Sequence, residues 1–445
     1  MSLASSPSPL SSTRRQSFGL AAWAILGPGC GRPASGPAST DTRVGVDLPD
    51  ASARRFYEQR GWRAAWTPTQ AQALIEAVAQ APRHGLSPGA FAQKQADGAS
   101  PAQQDISLTL AALAYAQALA SGFVDPHQIE TIFTLERNQV DVVAGLRQAL
   151  ATGGLATWLA SLAPADAEYQ MLSAAYVAAL GQSGLAAAPA RGAPVGTSMA
   201  PSDRARQLAA NLGRRRWISR APPATRIDVN TAGAFLGYFK PGTDVVTTRT
   251  VTGRDDHPTP CIQGSFHRLV GNPPWRIPPG IARKEILPKG SGYLRRQHMR
   301  WVNGRLEQKP GPHCALGQVK FDVEDPYDIY LHDTPAKRLF ASPERHRSHG
   351  CVRVENAIAL ARLIASQDGK ADAFDQALAS NKTKQVDLGQ PIAVRMLYHT
   401  AFVGQNGKIL LAPDVYGTDD ALAAALGLGQ AAAVRSQGSA ELFGP

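Results

Sequence analysis

Cysteine is scarce in this chain. It has only four in 445 residues, Cys30, Cys261, Cys314 and Cys351. Four are too few to build a protein of this length around disulfide bonds, which excludes the scaffolds of small secreted domains. The chain is 44% hydrophobic, so it can bury ordinary cores, and at this length we expect two or three folded units. A cysteine outside a bridge is then a free thiol whose place needs an explanation.

Long hydrophobic runs are also lacking, since no stretch reaches the ~18 apolar residues of a membrane-spanning helix. A shorter run, Phe18 to Leu26, follows the twin arginines Arg14 and Arg15 and precedes small residues. This layout is typical of a twin-arginine export signal, so we expect the protein in the periplasm or cell envelope. Cys30, at its end, is a candidate for lipid attachment and peripheral membrane contact. The Gly-Pro-Gly before it fits a lipoprotein site poorly, so we expect simple cleavage and leave lipidation open.

Acidic residues are fewer than basic ones. The chain has 46 Lys and Arg against 35 Asp and Glu, which gives a formal net charge of +11. Such a surplus favours acidic partners such as nucleic acid, anionic lipid or a cell-wall polymer. The basic residues are scattered rather than gathered in a stripe, and no nucleic-acid-binding motif accompanies them. We therefore expect no nucleic-acid partner.

The N-terminal part has helical periodicity from about residue 42 to 180. In one segment Ile106, Leu110 and Leu113 recur at spacings of three and four, which is the pattern of a helix with one buried face. Asp105 is the expected N-cap of that helix. This part holds no cluster of acids, bases or thiols, which predicts a helical support domain without chemistry.

After a segment rich in Gly, Ala, Pro and Ser, the periodicity changes from helical to two. Stretches rich in Val, Ile, Thr and aromatic residues follow, and the turn sequence KPGTD between two of them predicts a hairpin. A long basic segment interrupts the strands, and an insertion of that length is usually a lid or binding element. The sequence therefore predicts an α+β protein. Its predicted segments are a signal and low-complexity region (1–40), a helical domain (42–180), a linker (181–201), a mostly β domain (202–420) with an insertion (280–316), and a tail (421–445).

One cysteine has a base and a turn within reach. Cys351 ends the sequence Ser-His-Gly-Cys, and His332 lies 19 residues upstream, at the end of the predicted strand DIYL. Cysteine catalysis needs a base for the thiol and donors for the oxyanion that forms on the attacked carbonyl. His332 would be the base, Asp333 or its backbone carbonyl would fix the tautomer, and Gly350 would let nearby N–H groups face the oxygen. The segment VRVENAIALARLIAS is predicted to be a helix whose N-terminus lowers the pKa of the Cys351 thiol.

Two other interpretations of this thiol remain open. It is an ordinary buried cysteine, or it is a zinc ligand, since His346 and His349 lie close by and the pair His313-Cys314 lies upstream. Zinc sites favour paired ligands such as C-x2-C, and this chain has no such pair. We therefore expect no metal and no cofactor, and we take catalysis as the working hypothesis.

The residues around Cys351 resemble a known family. IYLHDTP followed by SHGCVRV is similar to the signature of the YkuD-type L,D-transpeptidase catalytic domain of bacterial cell-wall enzymes. FYEQRGWRAAW resembles the start of the scaffold domain in the large periplasmic branch, and NPPWRIPPGIARKEILPK, GYLRRQ, ALGQVKF and PDVYGTD resemble landmarks of its catalytic domain. The resemblance covers about 42–130 and 204–420. It implies a helical scaffold domain and a mostly β catalytic domain in which 280–316 is a capping subdomain.

The resemblance also implies a reaction, peptidoglycan L,D-transpeptidation. Cys351 would attack the carbonyl after the L-centre of meso-diaminopimelate in a tetrapeptide stem, release D-alanine, and pass the acyl group from a thioester to an amine. The partners would be peptidoglycan stem peptides, and carbapenem-type β-lactams would acylate the thiol. The implied roles are Cys351 as nucleophile, His332 as proton donor and acceptor, and Asp333 as the group that orients the histidine. His349 and Gly350 would shape the turn, with the N–H groups of Gly350 and Cys351 as the oxyanion hole. The substrate would be bound by Arg353, Tyr330 and Trp275.

Three points stay open. An L,D-carboxypeptidase or cross-link hydrolase would use the same Cys-His site with water as the acceptor, and a non-catalytic wall-binding protein would keep only the fold. Many members of this branch carry a peptidoglycan-binding module between scaffold and catalytic domain, and residues 164–203 leave no room for one here. Cys261 and Cys314 belong to no motif of the family.

Overall fold

The computed structural model describes residues 42–45, 48–92, 99–182 and 203–428. The predicted export signal, Cys30, most of the predicted linker and the last part of the predicted tail lie outside these ranges. Within them, no helix is both long and apolar enough to cross a membrane.

The described residues form helices and strands in a clear order. The helices are α1 (Ala51–Glu58), α2 (Pro68–Ala79), α3 (Pro101–Ser121), α4 (Val142–Thr152), α5 (Leu155–Ser161), α6 (Ala167–Gln182), α7 (Asp203–Trp217), α8 (Pro279–Ile281), α9 (Gly290–Arg296), α10 (Ala357–Gln367), α11 (Ala371–Ala379) and α12 (Thr418–Ala425). The strands are β1 (Arg226–Asn230), β2 (Phe235–Phe239), β3 (Val246–Gly253), β4 (Gln263–Gly271), β5 (Trp275–Arg276), β6 (Met299–Val302), β7 (Arg305–Gln308), β8 (Val319–Phe321), β9 (Leu331–His332), β10 (His346–Ser348), β11 (Val352–Val354), β12 (Lys384–Leu397), β13 (Ala401–Val403) and β14 (Ile409–Leu411).

Helix α3 starts earlier than predicted. Its N-cap is Ser100, whose side chain forms a capping box with Gln103, so the prediction that Asp105 caps it is wrong. Asp105 is instead buried one turn into the helix, where its carboxylate accepts hydrogen bonds from the Tyr57 hydroxyl at 2.6 Å and from the Ala65 N–H at 2.8 Å. A buried carboxylate needs such donors, and here they tie α1 and the segment after it to α3.

The helical layer is larger than residues 42–180. Helix α7, predicted as part of the β domain, buries Leu208, Leu212 and Trp217 in the same apolar core as α1 to α6. Helix α12, which crosses the predicted boundary between the β domain and the tail at residue 420, adds Leu422 to that core. Helix α6 also extends to Gln182, into the predicted linker. The helical layer is therefore built from segments before and after the β strands, and no single boundary in the sequence separates it from the β domain.

The mostly β domain is built on one large sheet with strand order β10-β3-β11-β9-β8-β4-β12-β1-β2. Strand β2 also pairs with β3, so the strands from β3 to β2 close into a ring with β10 attached to β3. Apolar residues of α10 and α11 pack with the inner residues of these strands in a second core. Together with the helical layer this confirms the predicted α+β class.

Strands β1, β2, β3, β8 and β9 lie in the predicted stretches, and KPGTD joins β2 to β3 as an antiparallel hairpin. Strand β12, the longest of the described strands, was not predicted from the sequence. Its pairing with β4 is irregular between Asp387 and Ile392, where Gly389 and Pro391 interrupt the ladder. Such an irregularity breaks the period-two pattern on which the recognition of strands depends.

The basic insertion is a small subdomain between β4 and β8, which we call the cap (residues 275–316). It starts at Trp275, somewhat before the predicted residue 280, and contains the three-stranded sheet β5-β7-β6 with the short helices between β5 and β6. Ile277, Ala282, Ile286 and Leu306 form its own apolar core.

A buried acid lies where the helical layer meets the sheet. Glu130 is 8% exposed, and none of the described residues forms a hydrogen bond with its Oε1. Burial, helped by Asp414 and Asp419, raises its pKa to about 7, against the opposing charge of Arg214. A raised carboxyl pKa means that folding favours the protonated form. The free energy of unfolding should therefore fall as pH rises from ~4.5 through 7, by about 3 kcal/mol at most.

We expect Glu130→Gln, which keeps the shape and removes the charge, to raise the melting temperature at pH 8 and to change it little at pH 5. Thermal unfolding at the two pH values measures this. Glu136→Gln, an exposed glutamate six residues along, is the control and should leave the melting temperature within a degree or so at both. An equal change at pH 5 and pH 8 in Glu130→Gln would mean that the ionisation of Glu130 carries no folding cost.

Candidate active site

Two short parallel strands bring the predicted residues together. In the pairing of β9 with β11, His332 lies opposite Arg353 and Leu331 lies opposite Val352. Leu331 and Val352 are fully buried in the sheet's core. Because side chains alternate along a strand, His332 and Arg353 lie on the other face, as do Tyr330 and Cys351, two positions before them. The register therefore puts Cys351 next to Tyr330 on the neighbouring strand. His332 follows Tyr330 by two residues and is the next side chain on the same face.

The ring of His332 is held in one tautomer. The residue is 4% exposed, and its Nδ1 lies 2.5 Å from the backbone carbonyl oxygen of Asp333. A carbonyl only accepts, so Nδ1 carries the proton and Nε2 is left with its lone pair. Burial, together with the positive charge of Arg353, lowers the pKa of His332 to about 3. The imidazole is thus neutral near pH 7 and can accept a proton at Nε2.

Asp333 orients the histidine through its backbone rather than its side chain. Its carboxylate accepts from the Gln318 N–H at 2.9 Å and pairs with Lys337. Of the two options that the sequence offered, the backbone carbonyl is the one that contacts the ring. The carboxylate instead fixes the chain just after β9.

The thiol of Cys351 has a raised pKa, which contradicts the prediction of a thiol activated by a helix. The segment VRV forms strand β11, and α10 begins only at Ala357, so the predicted helix does not start next to the sulfur. Val352 and Val354 are β-branched and fully buried in the sheet, which favours the extended conformation. Burial raises the pKa of Cys351 to about 11. The sulfur is a protonated thiol that donates to the Asp328 carbonyl at 3.6 Å.

Tyr330 and Lys320 complete this face of the sheet. The Tyr330 ring lies 5.7 Å from the His332 ring, and burial, together with the neighbouring Cys351, raises the pKa of its hydroxyl. The Lys320 ammonium lies 4.2 Å above the Tyr330 ring. Lys320 lies opposite His332 in the antiparallel pairing of β8 with β9. The sequence analysis missed it, although its position between the buried Val319 and Phe321 already placed it on the opposite face.

The turn before Cys351 supplies one free N–H group rather than the two predicted. Gly350 has φ +109°, a conformation that favours glycine. Its N–H donates to the Ser348 hydroxyl at 3.2 Å and is therefore used within the turn. No acceptor for the N–H of Cys351 lies among the described residues. Gly350 thus shapes the turn, and Cys351 itself offers the free donor.

His349 faces the cap rather than the thiol. Its Nε2 lies 2.6 Å from Glu285 Oε1, and its ring contacts the ring of His257 edge-on at 5.0 Å. Glu285 belongs to the helical segment of the cap and also lies 3.5 Å from Arg254. The motif histidine therefore fastens the turn before Cys351 to the cap.

We expect Glu285→Ala to loosen this attachment and to speed tryptic cleavage of the cap, which is rich in Arg and Lys, several-fold. Cleavage requires local opening, and this substitution removes the contacts of Glu285 with His349 and Arg254. Limited proteolysis followed by mass mapping measures it. Glu324→Ala, an exposed glutamate outside the cap, is the control. Equal cleavage of the two variants would show that the pair does not hold the cap.

The two remaining residues that were predicted to bind substrate, Arg353 and Trp275, have different surroundings in the structure. Arg353 is half-buried beside His332, and no carboxylate pairs with it in the described part of the chain. It is therefore open to an anionic ligand. Trp275 packs against the core of the cap, and its strand β5 pairs with β7. The structure gives it a packing role in the cap, and its part in substrate binding stays a prediction.

Among the described residues, no group of side chains is arranged to hold a metal ion, and no two cysteines form a disulfide. His346 is engaged by Glu344 at 2.8 Å and by the Thr231 carbonyl at 3.0 Å, whereas His349 is engaged by Glu285. In these ranges no three ligating side chains are arranged to hold a metal ion. Cys261 and Cys314 are buried free thiols, at the contact with the helical layer and in the cap respectively.

Comparisons with known proteins agree with this architecture. Residues 51–175 match the Scaffold domain family, and residues 224–389 match the L,D-transpeptidase catalytic domain family, YkuD. Over 218 residues the chain is 30% identical to a putative L,D-transpeptidase from Haemophilus influenzae. That alignment covers 43% of this chain and 44% of the relative, so the chain spans less than half the length of the curated relative it matches.

Two solved structures also align. One is the Ldtfm-avibactam carbamoyl enzyme (15% identity, covering 39% of this chain and 49% of that chain), and the other is a mutant L,D-transpeptidase from Enterococcus faecium (14% identity, covering 39% of this chain and 50% of that chain). Both have a TM-score of 0.22, so they add nothing about this fold. The two family matches confirm the resemblance found in the sequence. This chain therefore carries an N-terminal Scaffold domain followed by a YkuD-type L,D-transpeptidase catalytic domain.

Proposed function

We propose that the protein is a peptidoglycan L,D-transpeptidase that works through a thioester on Cys351. The observation that carries the proposal is the register of β9 and β11, which puts a thiol and a neutral imidazole with a free Nε2 on one face. The family match names the reaction, and this pair supplies the nucleophile and base that the reaction needs. The half-buried Cys351 remains open to a substrate from solvent.

The pKa values of the pair decide how the nucleophile forms. With His332 at about 3 and Cys351 at about 11, an ion pair is unfavourable in the resting enzyme. The proton therefore moves from Sγ to Nε2 while the sulfur attacks the carbonyl carbon of the stem peptide. The oxyanion then collapses, the bond to D-alanine breaks, and the imidazolium returns its proton to the leaving amine. A thioester on Cys351 results.

In the second half of the reaction an acceptor amine attacks the thioester. His332 takes a proton from the amine, the bond to sulfur breaks, and the thiol is restored. Arg353, on the same face, favours the negative charge that develops and the carboxylates of a stem peptide, whereas the ammonium of Lys320 is paired with Asp322 at 2.7 Å. The twin arginines near the N-terminus support a place of action in the periplasm or cell envelope.

The test is mass spectrometry of the purified protein incubated with disaccharide tetrapeptide, with and without an added D-amino acid. A cross-linked dimer or an exchanged terminal residue is the expected result. Tripeptide alone would replace the proposal by an L,D-carboxypeptidase, because water would then be the acceptor. Unchanged substrate with folded protein would contradict both and leave wall binding. The matched control is Cys351→Ala, which keeps the fold and removes the nucleophile.

A further inference from the structure

Thr259 is a buried hydroxyl residue behind the turn that carries Cys351. It lies in the loop between β3 and β4, outside the motif residues. Its hydroxyl donates to the backbone carbonyl of Gly350 at 2.7 Å and accepts from the Gly253 N–H at 2.9 Å. Both the donor and an acceptor site of the hydroxyl are thus used, so its rotamer is fixed. The side chain therefore holds the Gly350 carbonyl at a defined place.

The loop around Thr259 is itself anchored. The N–H of Thr259 donates to the Tyr416 hydroxyl at 3.2 Å, and that hydroxyl donates to the Gly253 carbonyl at 2.9 Å. The Tyr416 ring stacks on the ring of Tyr398 at 4.7 Å. At Gly253 a Cβ would lie 2.2 Å from the His257 carbonyl oxygen, so the loop packs here without room for a side chain. Thr259 therefore acts from a rigid support.

Fixing the Gly350 carbonyl also fixes the N–H of Cys351. The two groups belong to one trans peptide and point in opposite directions across its plane. With the carbonyl directed at Thr259, the N–H points away from that loop, and none of the described residues accepts from it. A flip of this peptide would rotate ψ of Gly350, which glycine tolerates, and φ of Cys351, which would become positive. The hydrogen bond from Thr259 therefore adds to the backbone preference of Cys351 and holds the Gly350 carbonyl in one direction.

We propose that Thr259 is a positioning residue that holds the Gly350–Cys351 peptide so that the Cys351 N–H receives the oxyanion of the attacked carbonyl. The inference rests on the proposed function, since it presupposes an acyl group on Cys351. Oxyanion donors act because they are oriented before the reaction. A flipped peptide would instead present the Gly350 carbonyl oxygen to the developing negative charge and oppose it.

Two reagents separate this role from a general effect on the thiol. A carbapenem acylates the cysteine through an oxyanion, whereas iodoacetamide alkylates it by displacement at carbon with no oxyanion. We expect Thr259→Val to slow acylation by about tenfold to hundredfold. Its alkylation rate should stay within about twofold of wild type between pH 6 and 10, because the burial and charges that set thiol ionisation are unchanged. Thr259→Ser, which keeps the hydroxyl, should restore most of the acylation rate.

Intact-mass kinetics of both reactions give these rates, and Tyr416→Phe provides a second variant in case Thr259→Val is poorly folded. That change removes the hydroxyl that supports Thr259, and it should slow acylation by a few-fold with alkylation unaffected. Unchanged acylation in both variants, or an equal fall in acylation and alkylation, would overturn the inference. Failure of the proposed function looks different: the wild type would be alkylated at Cys351 and never acylated, which would remove both proposals.

Discussion

Cys351→Ala is expected to abolish acyl transfer, with the rate of tetrapeptide conversion falling by a factor on the order of 10⁴ or more. The reason is that the sulfur of Cys351 forms the covalent bond to the substrate in the proposed reaction. The same substitution should remove the adduct that a carbapenem forms with the wild type. Intact-mass spectra before and after incubation measure the adduct, and peptide mapping locates it.

Cys314→Ala and Cys261→Ala are the matched controls for this experiment. Both thiols are buried, whereas Cys351 is half-buried, so neither is open to a reagent from solvent. The two variants should keep the adduct and the activity of the wild type. An adduct that persists in Cys351→Ala, or one that maps to another residue, would contradict the assignment of the nucleophile.

His332→Gln is expected to lower the acylation rate by about 10²-fold to 10⁴-fold near pH 7, because general-base catalysis is worth about this much. The wild type should show no loss of rate between pH 8 and pH 5, since a pKa of about 3 keeps the imidazole unprotonated over that range. In the variant the thiol must ionise on its own, so its rate should rise with pH towards the Cys351 pKa of about 11. The ratio of the two rates should therefore shrink as pH rises.

Single-turnover acylation across pH 5 to 10 tests this prediction, with His346→Gln as the control because that ring contacts Glu344 and Thr231 instead of the thiol. An inflection near pH 6.5 in the wild type would show that the histidine titrates as an exposed one does. The imidazole would then be protonated and inactive as a base below that pH, and burial would have less effect on its pKa than we infer.

Some elements of the structure were readable from local pattern alone. The alternation in β1 to β3 and the turn KPGTD identified a hairpin, because two-residue periodicity and turn residues act over a few positions. The stripe in α3 identified a helix for the same reason. The irregular strand β12 and the packing of α7 and α12 on the helical layer were not readable, because they depend on partners far along the chain.

The sequence by itself determined the family, the α+β class, and the identity of Cys351 and His332 as the candidates for chemistry, since residue types at fixed spacing carry that information. Only the tertiary structure decided that the thiol is protonated, that Asp333 contacts the histidine through its backbone, and that His349 binds the cap. Burial, charge and hydrogen bonds at one sheet face come from segments distant in sequence. No local pattern records them, and they are what sets the pKa of each group and the direction of each N–H.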